Sequence, residues 1–272
     1  MSVSVIIPTY RNPKYLDICL KSAIENRVND INQIIVVVDG FFEESKDILN
    51  KYPVGFLNFD NNQGMQSAIN TGVAQADSEY VFVINDDNVF GQDWDKYLNE
   101  CINVLYDEKK VLTINQVEPI GPSMYNFNIN NLGETADNFN YDEWLKYEAS
   151  IRRKFYSFDG RIFPFLIKKK YFMAVGGLDT FYNGPNWCDI DFFLKLELLD
   201  FSFLRTQLLH LYHFGSVVTR KGPEANKFIQ KQNDTAGQFY WKWGYVPDIV
   251  GNVKKNNTKY PDQLIIRGIE FK

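Results

Sequence analysis

Carboxylates and amides gather where this chain leaves its apolar runs. Asp39-Gly40 follows Ile34 to Val38, and Asn85-Asp86-Asp87-Asn88 follows Tyr80 to Ile84. Asp189 and Asp191 flank Ile190, and His213 closes the run Leu208 to Phe214. A carboxylate at Asp39 can accept the imide or amide N–H of a base such as uracil, thymine or guanine, although Asp-Gly is also a common turn pair. Four hard-oxygen side chains in a row suit Mg²⁺ or Mn²⁺, and two adjacent carboxylates repel each other without a cation. Such an ion would bridge two phosphates of a nucleotide and neutralise charge on a leaving diphosphate. Asp189 or Asp191 could deprotonate a hydroxyl, or serve as ordinary carboxylates of a helix's first turn. His210 and His213 are the only histidines, and on pattern alone both read as core residues of an apolar strand.

The elements that must position these groups follow from periodicity. Val3 to Pro8 reads as a strand buried on both faces, and Ile34 to Val38, Gly55 to Phe59 and Tyr80 to Ile84 as further strands. Between them, Asn12 to Ala23, Glu43 to Tyr52 and Met65 to Gln75 carry helical spacing. Strands alternating with helices at this pitch predict βαβ units and a mostly parallel sheet with helices on both faces. Ligands in such sheets bind beyond the carboxyl ends of the strands, where Thr9, Tyr10, Asp39 and Asn85 to Asn88 fall. Farther on, Asn115 to Asn140 reads as loops with short strands, Asp142 to Arg153 as a helix and Ile162 to Ile167 as a strand. Lys169 to Val175 is a short helix stopped by Gly176-Gly177, and Asp191 to Leu199 an amphipathic helix. Leu208 to Phe214 is a last strand, and Glu224 to Tyr240 a last helix.

Bulk properties narrow the classes. A chain of 272 residues with 45% hydrophobic content can bury a large core. Net charge is -5, and the densest basic cluster is Lys168 to Lys170, which argues against nucleic acid as a partner. Cys19, Cys101 and Cys188 are far apart, so neither a disulfide framework nor a thiolate zinc site is expected, which suits a reducing cytosol. No run has the roughly 20 apolar residues of a membrane helix, and the opening run is too short for a signal segment. A cytoplasmic protein is expected, with room for peripheral contact at the inner face of a membrane.

Taken together, the motifs resemble those of the inverting family 2 glycosyltransferases of the GT-A fold. Val5-Ile6-Ile7-Pro8-Thr9-Tyr10-Arg11-Asn12 is similar to the family's opening strand and Pro-Thr-Tyr-Asn turn. Val36-Val37-Val38-Asp39-Gly40 matches Val-Asp-Asp-Gly-Ser, with Val38 in place of the first Asp. Asn62-Gln63-Gly64, Ala68, Asn70 and Gly72 reproduce the Asn-x-Gly…Ala-x-Asn-x-Gly spacing, and Asn85-Asp86-Asp87 sits at the DxD position. Gly176-Gly177-Leu178-Asp179 resembles Gly-Gly-Phe-Asp. Trp187-Cys188-Asp189-Ile190-Asp191 resembles Glu-Asp-x-Asp, and His213-Phe214-Gly215-Ser216 the late His element. The match runs from about Val3 to Ser216.

The resemblance implies a Rossmann-like sheet with a smaller acceptor-side region, and it supplies roles. Residues 1–216 would be the catalytic domain, with 1–105 as its nucleotide-sugar half and 106–216 as its acceptor half. Residues 217–272 would be an extension packed on that domain. Pro8, Thr9, Tyr10, Asp39, Asn62, Gly64, Asn70, Asp86 and Asp87 would bind the donor. Asp87 and His213 would hold Mn²⁺ or Mg²⁺, and Asp189 would be the catalytic base. The donor would be a nucleoside-diphosphate sugar, UDP-sugar favoured, in polysaccharide, lipopolysaccharide or glycoconjugate synthesis. Its acceptor, a glycan, a lipid-linked sugar or a protein, would meet Asn115 to Arg161 and the C-terminal segment, whose Tyr125, Phe127, Trp144, Trp241 and Trp243 suit such a ligand. Two rivals share the scaffold. A non-catalytic nucleotide-sugar-binding module fits the substitutions at Asn85 and Cys188. A nucleotidyltransferase fits less well, because the Thr9 to Lys14 loop has no glycine.

Overall fold

A computed structural model describes residues 2–29, 33–105, 109–120, 128–158, 160–184, 187–215, 225–244, 264–266 and 269–271. The first half follows the expected alternation: β1 (Val3–Thr9), α1 (Pro13–Glu25), β2 (Gln33–Val38), α2 (Phe42–Lys51), β3 (Gly55–Asn58), α3 (Met65–Gln75) and β4 (Tyr80–Val83). Then come β5 (Asn88–Phe90), α4 (Trp94–Leu105), β6 (Lys110–Glu118), β7 (Asn128–Ile129), α5 (Tyr141–Ile151) and β8 (Tyr156–Ser157). The rest is β9 (Phe165–Lys168), α6 (Lys169–Ala174), α7 (Cys188–Glu197), β10 (Ser202–His213), α8 (Ala225–Trp243), β11 (Leu264–Ile266) and β12 (Ile269–Phe271).

The main sheet has the order β3-β2-β1-β4-β9-β6-β10-β5, with β7 on β6 and β8 on β10. Its strands are parallel from β3 to β4, as expected. Beyond β4 the sheet is mixed, because β9 runs antiparallel to both β4 and β6, while β10 is parallel to β6. A single reversed strand therefore separates two parallel groups that point the same way. The carboxyl ends of β1, β2, β4, β6 and β10 all open on one edge.

Alternation along the strands decides which helices cover which face. Val3, Val5, Ile7, Val36 and Val38 pack with Leu16, Leu20, Leu49, Leu98 and Ile102 of α1, α2 and α4. Ile6, Ile35 and Val37 face the other way, onto Ala68, Ile69, Val73, Phe172, Phe192 and Leu196 of α3, α6 and α7. Helices thus lie on both faces. Close approach of α3 depends on Gly72, where a Cβ would stand 2.6 Å from Ile6 Cγ2 and 3.1 Å from Val37 Cγ2. Ile6 is wholly buried in the sheet and cannot swing aside. Gly72→Ala is expected to destabilise the chain by about 1–2 kcal/mol, overlap outweighing the gain in helix propensity. A urea midpoint equal to or above that of the parent would refute this.

Several expectations shift in the second half. Helix α7 starts at Cys188, three residues before the expected Asp191, so Asp189 and Asp191 both lie in its first turn. Its start follows Trp187, which takes the left-handed conformation (φ 71°). Strand β10 begins six residues before Leu208, across an irregularity between Thr206 and His210. Among the aromatics assigned to the acceptor, Trp144 is fully buried with its Nε1 donating to Phe90 O at 3.1 Å, and Trp243 is buried too. Both are core residues. Trp241 is exposed, and Tyr125, Phe127 and Ser216 lie outside the described residues. Helix α8 packs on α7 through Phe239 and Trp243 against Tyr182, Cys188 and Leu194. All three cysteines are buried thiols. No helix among the described residues is long and apolar enough to cross a membrane.

Candidate active site

The carboxyl edge gathers polar groups from β1, β2, β4, β6 and β10. At the end of β1, Thr9 Oγ1 donates to Asp86 Oδ2 at 2.7 Å, and Asn12 Nδ2 donates to Asp86 Oδ1 at 3.0 Å. Asp86 is thereby fastened inside the molecule, its carboxyl pushed up to about 7 by burial and by the neighbouring Asp87. Pro8 is buried opposite Val37 and supplies no polar atom to the edge, so its part is to place Thr9.

Asp39, after β2, is buried and grips the loop that leads into α3. Its Oδ2 accepts from Asn62 Nδ2 and Gly64 N, both at 2.9 Å, and its Oδ1 accepts from Gln63 N at 2.5 Å. Burial raises its carboxyl above the usual range, and the Gln63 and Gly64 amides oppose that rise. Gly40 makes the approach possible, with φ +86° and room for only a hydrogen where a Cβ would meet Asn62 N at 3.0 Å. Beside this turn the rings of Tyr10 and Phe41 meet edge-on at 5.7 Å, and the Arg11 guanidinium sits 4.4 Å over Phe41. Phe41 is 48% exposed. An accessible aromatic ring next to a carboxylate can take a planar heterocycle.

Asp87 turns away from Asp86. The register that pairs His213 with Asn88 carries the end of β10 alongside, and His213 Nε2 lies 3.4 Å from Asp87 Oδ1. The other ring nitrogen, Nδ1, contacts Glu118 Oε1 at 2.9 Å. Burial disfavours the charged ring, but Asp87 and Glu118 on either side outweigh it and lift its pKa to about 10. An imidazole fixed by a carboxylate through one nitrogen presents the other in a defined direction, an arrangement common around bound metals. Among the described residues no group of three or more His, Cys, Asp or Glu side chains is placed to hold a metal ion. Any ion here would take further oxygens from a ligand or water.

The two acids of α7 separate. Asp191 is wholly buried: its Oδ1 accepts from Trp243 Nε1 at 2.7 Å and Tyr182 OH at 3.2 Å, and lies 2.6 Å from Lys242 Nζ. Asp189 is half-buried, and its Oδ1 accepts the local Ile190 amide at 2.9 Å. Burial pushes its carboxyl up to about 6. Since α7 hands the chain to the start of β10 beside the start of β6, its first turn points towards the carboxyl edge. His210 is a buried core residue, and burial lowers its pKa to about 4.

Asn70 is not drawn into this cluster. Its amide donates to Leu178 O at 2.7 Å and its oxygen accepts from Leu178 N at 2.9 Å, tying the Gly176-Gly177 turn to α3. Glu118 and Phe41 were missed in the sequence. A carboxylate on the last residue of a strand before Pro119, and an aromatic directly after Asp39-Gly40, are the signals that could have found them.

The model of glycosyl transferase family 2 matches residues 4–165. A dolichol-phosphate mannosyltransferase of Pyrococcus furiosus is 37% identical over 91 residues, 32% of this chain and 25% of that protein. Glycosyltransferase GlyG of Streptococcus pneumoniae is 29% identical over 92 residues, 32% of this chain and 30% of that one. The chain thus spans well under two thirds of the length of these relatives. Among solved structures, S. aureus TarS superposes with a TM-score of 0.54 at 16% identity, covering 89% of this chain and 43% of that one. Its residues 1–349, in complex with UDP, give 0.52 at 17% identity, covering 78% and 60%. At such identities the likeness is one of fold. With a family match over more than half its length, the chain belongs to glycosyl transferase family 2.

Proposed function

We propose that the protein transfers a sugar, with inversion, from a nucleoside-diphosphate donor to an acceptor hydroxyl. UDP-sugar is the favoured donor, as UDP is the nucleotide in the TarS complex. The observation that carries this reading is the meeting of Asp87 and His213 at the sheet edge, in a chain of this family. Asp39 would meet the base beside Tyr10 and Phe41, its loop held by Asn62 and Gly64. Thr9 and Asn12 anchor Asp86, which stiffens the turn that aims Asp87. The fit to Mn²⁺ or Mg²⁺ rests on the paired Asp87 and His213, with Glu118 behind the ring. They would hold the ion, which neutralises charge on the diphosphate. Asp189 would take the proton of the acceptor hydroxyl as its oxygen attacks the anomeric carbon. The bond to the diphosphate breaks with its electron pair leaving on phosphate oxygen, so attack from the far face inverts the centre. The domain division at residues 105 and 216 and a site of action at the inner face of a membrane belong to the same proposal.

Thermal unfolding with UDP and Mn²⁺ tests the donor half. The parent should be stabilised when both are present, by about 2.7 kcal/mol at a hundredfold excess over Kd. Either alone should stabilise less, and Asp87→Ala should lose the joint effect. An equal shift with and without Mn²⁺, or in Asp87→Ala, would remove the ion from the site. Binding of UDP-sugars without any metal-dependent transfer or hydrolysis would favour a non-catalytic binding module instead.

A further inference from the structure

A cavity of about 380 Å³ opens between α3, the Gly176-Gly177 turn, α7 and α8. It falls within the range of roughly 300–1,000 Å³ typical of small-molecule sites. Its polar lining includes Asn70, Asp179, Thr180, Lys195 and Lys242. The charges are matched internally. Lys242 Nζ is 2.6 Å from both Asp179 Oδ2 and Asp191 Oδ1, and Lys195 Nζ lies 3.6 Å from Asp191 Oδ2. The two lining ammonium groups are paired with the lining Asp179 and with the buried Asp191 behind them, so the charges balance within the protein.

Beside it stands a flat apolar surface. The Phe181 and Trp241 rings lie 5.4 Å apart with planes 33° from each other, and they are 37% and 61% exposed. They are the chain neighbours of Thr180 and Lys242 in the cavity wall. The backbone that carries Phe181 is tied down. Phe181 N donates to Asp179 Oδ1 at 2.9 Å, Gln238 Nε2 donates to Phe181 O at 2.9 Å, and Asn183 N donates to Gln238 Oε1 at 3.2 Å. Exposed aromatic rings next to a charge-balanced polar cavity match a sugar ring, which has apolar C–H faces and hydroxyls at its edge.

We infer that the Phe181–Trp241 platform and the adjoining cavity form a binding site for a neutral oligosaccharide. A lipid surface fits less well, because a polar cavity whose lysines are already paired within the protein would gain nothing from acyl chains or anionic headgroups. If the chain transfers sugar as proposed above, the oligosaccharide is the distal part of the acceptor, and only this last assignment rests on that reading.

Titration of the full chain with maltopentaose, cellopentaose and chitopentaose, with no donor or metal present, tests the site. At least one should bind saturably and perturb tryptophan emission. Trp241→Ala, which removes an exposed ring, and Thr180→Trp, which fills the cavity mouth from an exposed position, should each weaken binding at least about tenfold. Binding unchanged in both variants, or saturation by none of the three sugars, overturns the proposal. A Trp241-dependent emission shift on phosphatidylcholine or phosphatidylglycerol vesicles, without one on sugars, overturns it in favour of a membrane contact. Because the donor is left out, failure here is separate from failure of the Asp87 or Asp189 assignments.

Discussion

Asp189→Asn is expected to lower sugar transfer by about 10²–10⁴-fold while leaving UDP and Mn²⁺ binding at the parent level. The amide keeps the size and most hydrogen bonds of the carboxylate but cannot take a proton. The native carboxyl accepts the local Ile190 amide through Oδ1. Burial places its pKa at about 6. The group acts as a base only when ionised, so turnover should be full well above that value and fall about tenfold per pH unit below it. Steady-state kinetics across this range, with calorimetry of UDP binding alongside, are decisive. Turnover of Asp189→Asn within a few-fold of the parent would take the base role from this residue.

Two positions along the same helix, the opposite result is expected. Asp191→Ala should lower stability by about 3–5 kcal/mol, because breaking a buried ion pair leaves its partners uncompensated. Lys242, Lys195, Trp243 Nε1 and Tyr182 OH all lose an acceptor or counter-charge at once. Lys242 keeps Asp179 and the two lysines retain slight exposure, which favours the lower end. Urea unfolding measures it, and Asp189→Asn under the same conditions should stay within about 0.5 kcal/mol of the parent. Equal midpoints for both variants would show that the network around Asp191 carries little energy.

These two acids also mark how far the sequence could be read. Their spacing suited either as base and the resemblance alone pointed to Asp189; in the structure Trp243 and Lys242, some fifty residues on, occupy Asp191. The strands β1, β2 and β4 were legible because strands buried on both faces are written as unbroken apolar runs. Strand β6 was hidden, since Thr113, Asn115 and Gln116 break its apolar pattern even though all three are buried. Reading that stretch as loop also concealed Glu118. The antiparallel sense of β9 has no signature in local periodicity, which reports burial and not direction. His213 read as a core residue on pattern alone and as a metal ligand only through the resemblance; its pairing with Asn88 sets it beside Asp87. Asn70 shows the converse. A motif position that resembled a donor contact proves to fasten two backbone segments together.

The tie between Lys242 and Asp191 of α7 also bears on how the protein is made. The strands β1 to β4 leave the ribosome long before α8, and the turns at their carboxyl ends close with partners drawn from the first 90 residues. Asp191 has no such early partner for its charge beyond Lys195. The first turn of α7 is therefore expected to settle only when residue 242 arrives. The nascent chain would be able to hold a nucleotide before it could carry out chemistry on one, a temporal order written into the fold by a single shared ammonium group.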